Sequence, residues 1–103
     1  MSRLSRKHLE SKVVTINSLL GTPTESYTLR GDRYTANIGN YHIDASSPGD
    51  GATRYCLHRM INDGGGVTVI YGTQVLGASN FADVLAAMIS GIQAAQEAAS
   101  HAN

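Results

Sequence analysis

The stretch that most constrains this chain is a pair of apolar segments joined by Asn62-Asp63-Gly64-Gly65-Gly66. Ahead of the glycines, Tyr55-Cys56-Leu57-His58-Arg59-Met60-Ile61 is rich in aromatic and branched side chains. After them, Val67-Thr68-Val69-Ile70-Tyr71 is denser still in strand formers. Glycine supplies the backbone freedom a tight reversal needs, so Thr53 to Gly72 reads as a β-hairpin with strands over 53–61 and 67–71.

The residues before the hairpin supply more strands. Tyr27-Thr28-Leu29 and Arg33 to Ile38 flank Gly31-Asp32, which has the chemistry of a type I′ or II′ turn, so these two strands are antiparallel neighbours. Gly39-Asn40 marks a bend. Tyr41, Ile43 and Ala45 then alternate with His42 and Asp44, a third strand with one apolar and one polar face. Ser46 to Gly51 is the most loop-like segment, and Gly72 and Gly77 bracket a short extended piece over 73–76.

Helices are expected on both sides of these strands. Leu9, Val13, Ile16 and Leu20 fall on one face of a helix over 3–20, with Arg3, Arg6, Lys7, Glu10 and Lys12 elsewhere; Gly21 and Pro23 stop it. The basic start reads as a solvated face, with phosphate contact as the alternative. Asn80 has the side chain of an N-cap and Asp83 suits a first turn, so a second helix is expected over 80–99. Together these describe one α+β domain over 1–103: an N-terminal helix, a mainly antiparallel sheet of four to five strands over 26–76, and a long C-terminal helix packed on the sheet.

The second helix carries Phe81, Leu85, Met88, Ile89 and Ile92 as a bulky stripe that closes over the sheet. It also carries ridges of small residues, Ala82, Ala86, Ser90, Ala94 and Ala98 in one row and Ala87, Gly91, Ala95 and Ala99 in the next. Small ridges allow close helix approach, so a homo-oligomer interface through Ala82, Ala86, Ser90 and Ala94 is expected, with packing against the first helix as the alternative.

Charge excludes some functions. The 8 basic and 8 acidic side chains cancel, leaving no field to draw the chain to nucleic acid or anionic lipid. Met1 to Lys12 lacks the apolar centre of a signal peptide, and no run reaches the roughly 18 apolar residues of a membrane span. The single Cys56 fits a reducing cytoplasm and reads as core filler.

Candidate chemistry is sparse. His42 and Asp44 share a strand face and His58 lies on the next strand, a possible divalent metal site with half-buried structural histidines as the alternative. Cys56 and His58 share a strand face too, but nothing marks an oxyanion hole or an orienting acid. Gly49-Asp50-Gly51 and Asp63 to Gly66 can present backbone N–H groups to an anion, although neither matches a phosphate-loop pattern and plain turns are the simpler reading. Arginines and tyrosines beside the strands suit a nucleotide-like ligand, with Arg54, Arg59, Tyr41, Tyr55, Gly64 and Gly65 as the candidate binding set. No cofactor is expected.

Asn37-Ile38-Gly39-Asn40-Tyr41-His42-Ile43-Asp44 and Leu57-His58-Arg59-Met60-Ile61-Asn62-Asp63-Gly64-Gly65-Gly66-Val67 resemble short uncharacterised accessory proteins of tailed bacteriophages. The likeness covers residues 9 to 95, rests on strand and turn residues, and brings no site residues with it. It implies a non-enzymatic protein acting in the host cytoplasm, which sequesters a small anionic or nucleotide-like ligand or inhibits a host protein. The alternative from the residues themselves is a metal-assisted hydrolase using His42, Asp44 and His58.

Overall fold

The computed structural model describes residues 5–47, 53–70, 72–73 and 76–101. An N-terminal helix, five antiparallel strands and a long C-terminal helix give an α+β architecture.

Helix α1 (Arg6–Leu20) begins where Ser5, in extended conformation, accepts the His8 N–H on its hydroxyl. The expected start at residue 3 lies outside the described residues. At the other end Gly21 adopts φ 70°; its N–H bonds Ser18 O while the Thr22 N–H bonds Asn17 O, the paired closure of a Schellman motif. Leu9, Val13 and Ile16 are buried as the periodicity predicts, but the fourth inward position is Asn17, while Leu20 is 41 % exposed.

Strands β1 (Tyr27–Arg30) and β2 (Arg33–Ala36) form a two-stranded ribbon around Gly31-Asp32, with Gly31 at φ 66°. Strands β3 (Tyr41–Ser46), β4 (Arg54–Met60) and β5 (Val67–Val69) form a separate three-stranded sheet with β4 in the centre. The division arises at Gly39, whose φ of 92° turns the chain between β2 and β3. Its N–H bonds Met60 O, Met60 N–H bonds Asn40 O, and Ala36 N–H bonds Asp63 O, so the ribbon rests beside the β4–β5 turn without extending the ladder. Asn40, fully buried, donates to Pro23 O and accepts from Ser26 Oγ, which ties the segment after α1 to the start of β3.

Strand β5 is shorter than the expected 67–71. Thr73 explains this: its buried hydroxyl accepts the Leu57 N–H and donates to Ile70 O, so a side chain takes over from the backbone ladder. Tyr71 lies outside the described residues. Leu76 then bridges Tyr55 of β4 as a single antiparallel pair.

Helix α2 (Ala78–His101) begins earlier than an Asn80 cap would allow, because the Phe81 N–H already bonds Gly77 O. Phe81, Ala82 and Leu85 meet Leu9, Val13 and Ile16 of α1 and Tyr55 and Leu57 of β4, with Met88, Ile89 and Ile92 packed around them. Both helices therefore cover one face of the three-stranded sheet, α1 against β3 and α2 against β4, and α1 packs on α2 directly. Tyr55 stacks on Phe81 with ring centroids 5.6 Å apart and planes 18° from parallel. The outer ridge of α2 is different: Ala86, Ser90, Ala94 and Ala98 are exposed, and only Ala82 of that row is buried, inside the core.

Candidate functional site

The helices cover only one face of the sheet, and strand alternation decides what the other face displays. Tyr55 and Leu57 point into the core, so Cys56 and His58 point away from it; on β3, Ile43 packs toward the core and His42 and Asp44 face outward. Register completes the arrangement, with His42 opposite His58 and Asp44 opposite Cys56. Cys56 Sγ lies 3.3 Å from His58 Nε2 and 3.9 Å from Asp44 Oδ2. The donor atoms of Asp44, Cys56 and His58 all lie within 4.8 Å of one another.

The cluster differs from the expected metal set of His42, Asp44 and His58. His42 packs edge-on against His58, centroids 5.6 Å apart, but its Nδ1 is engaged 3.1 Å from Asn40 Oδ1. Asn40 Nδ2 donates to Pro23 O, so Oδ1 is the acceptor and His42 Nδ1 carries the proton. Cys56 takes the third place. Core filler was the wrong reading of this residue, which is half-buried on the open face. Alternation along β4 sets it opposite Tyr55 and Leu57, which the helices cover. Asp44 bonds the thiol, and among the described residues no carboxylate bonds the His58 imidazole as the orienting acid of a nucleophilic pair would.

Burial holds the His42 imidazole below its ordinary value of 6.5, helped by the neighbouring His58 and opposed by the Asp44 carboxylate. A lowered folded pKa means that the unfolded chain takes up the proton first. This contribution is therefore fully present above pH 6.5 and is lost as the pH falls from there through the lower folded value. Thermal midpoints measured from neutral to mildly acidic pH should fall more steeply for the wild type than for His42→Gln. Parallel profiles would remove His42 as a source of acid sensitivity.

The expected ligand-binding residues do not form one site. Tyr55 is in the core against Phe81. Arg54 and Arg59 are five positions apart on β4 and so occupy opposite faces. Arg59 lies over the Tyr41 ring, 5.9 Å from its centroid. Gly64 and Gly65 form no anion cradle: Asn62 Oδ1 accepts the N–H groups of Gly64 and Gly66, and Asn62 O accepts that of Gly65. The Gly49 to Gly51 cradle lies outside the described residues. A groove of about 570 Å³ runs between α1 and β3, and of the expected set only Tyr41 lines it; Arg6 on its wall is engaged by Glu10.

No protein-family model, curated protein or solved structure matches this chain.

Proposed function

We propose that this is a non-enzymatic binding protein that docks on another protein through its β1–β2 ribbon. The carrying observation is the exposure of Leu29 and Tyr34, 54 % and 71 %, paired across that ribbon on one face. Two strands alone are marginal in water, so large apolar groups held in the open on such a ribbon point to a surface that is covered in use. Tyrosine and arginine are the residues that dominate interface energetics. Arg30 and Arg33 stand directly opposite each other at the ribbon's end, both exposed. Like charges so placed repel, and carboxylates on a partner offset that repulsion. The partner this surface fits has an apolar centre and an acidic rim, and the phage resemblance makes a host protein in the bacterial cytoplasm the setting. The small-ligand reading is weaker because its residues are dispersed. Among the described residues no helix is long and apolar enough to cross a membrane.

Leu29→Thr/Tyr34→Thr tests the reading, since threonine keeps strand propensity and a Thr–Thr pair suits facing positions on the ribbon. Crosslinking in a bacterial lysate, followed by reconstitution with the purified partner, should show wild-type binding and a loss of more than about 10-fold in the variant. Equal binding by both proteins, or no partner that reconstitutes, refutes it.

Self-association through α2 belongs to the same reading, with its interface now Ala86, Ser90 and Ala94, since Ala82 is buried within the chain. Wild type should sediment above the 10.9 kDa of one chain and Ala86→Glu as a folded monomer. A wild type that is monomeric at every concentration ends this part of the proposal.

A further inference from the structure

We propose that Asp44, Cys56 and His58 form a binding site for one divalent transition metal ion of the zinc class. Cysteine sulfur with imidazole nitrogen favours zinc, cobalt and their neighbours over magnesium or calcium, which take oxygen ligands. Tetrahedral zinc with bonds of about 2.3 Å to sulfur and about 2.1 Å to nitrogen or oxygen sets its sulfur about 3.6 Å from each neighbouring donor. The sulfur here stands 3.3 Å from His58 Nε2 and 3.9 Å from Asp44 Oδ2, on either side of that value. All three donor atoms lie within 4.8 Å of one another, so side-chain rotation is what separates this arrangement from a coordinating one.

The spacing is built into the backbone. Cys56 and His58 share a face of β4 two residues apart, and the ladder fixes Asp44 directly across from Cys56. Asp44 is exposed and the other two are half-buried, so an ion can enter from solvent. On binding, the Cys56 S–H bond breaks, the proton leaves to solvent and the thiolate pair is donated to the metal. Three protein ligands leave a fourth position for water or an incoming group. The site is on a different sheet from the ribbon and does not depend on the docking reading.

The test is titration of tag-free, reduced protein with Co²⁺. One equivalent should give a thiolate-to-cobalt charge-transfer band together with the visible bands of a tetrahedral ion, and Zn²⁺ should bleach both. Cys56→Ser should abolish the charge-transfer band, while His58→Gln and Asp44→Asn should each weaken binding by more than about 10-fold. Circular dichroism checks that the variants fold, and a zinc-induced rise in the wild-type thermal midpoint is a readout that needs no variant. No charge-transfer band at one equivalent, no such rise, or undiminished affinity in folded His58→Gln and Asp44→Asn overturns the assignment.

Discussion

Phe81→Ala is expected to destabilise the protein by about 3–5 kcal/mol, the range for emptying a buried aromatic site. Phe81 is fully buried where α1, α2 and β4 meet, and it stacks on Tyr55. Truncation removes the transfer energy of the ring and opens a cavity that three elements would have to collapse to fill. A domain of this size has only about 5–15 kcal/mol in hand, so the variant should be close to unfolded at moderate temperature. Urea unfolding measures it: a lowered midpoint with an unchanged slope is expected. A loss below about 1 kcal/mol would mean that this core is not the one that holds the fold.

Asn17→Leu should be nearly as costly, about 2–4 kcal/mol, although it adds apolar surface to an apolar face. Asn17 is 1 % exposed. Its Oδ1 accepts from the Tyr41 N–H at 2.9 Å and Thr22 Oγ1 at 2.7 Å, and its Nδ2 donates to Tyr41 O at 2.9 Å. The side chain thus acts as one rung of a strand on the free edge of β3. Leucine leaves the Tyr41 N–H and carbonyl without partners, at about 1–3 kcal/mol for each stranded buried group. Asn17→Asp keeps the shape and loses the donor to Tyr41 O. When protonated it can still donate, so its folded pKa is raised; its stability relative to the wild type should be greatest at low pH and fall as the pH rises through that value. Denaturant melts of both variants decide the matter, and an Asn17→Leu protein as stable as wild type would remove the asparagine from any structural role.

Phe81 and Asn17 differ in how far their burial is written locally. Phe81 is readable as core from spacing, because Phe81, Leu85, Met88, Ile89 and Ile92 repeat at helical period. Asn17 was not readable, because a polar residue on a helix is usually solvated; only the edge of β3, 24 residues further on, makes it an inward position. The same limit explains Cys56. Its residue type favours burial, and whether it is buried depends on which face of β4 the helices cover.

Local chemistry therefore determined the elements and several of their ends. Ser5 and Gly21 bound α1, Gly31-Asp32 turns the ribbon, Asn62 to Gly66 turns the central hairpin, and alternation gives β3 and β4 two distinct faces. Tertiary structure alone decided the separation into two sheets at Gly39, the register that sets Asp44 against Cys56, the dispersal of the arginines and tyrosines, and the exposure of Leu29 and Tyr34. Period and turn chemistry act over a few residues and are written in the order of the side chains. Register and coverage depend on contacts between distant segments, and their energies exist only once the segments have met.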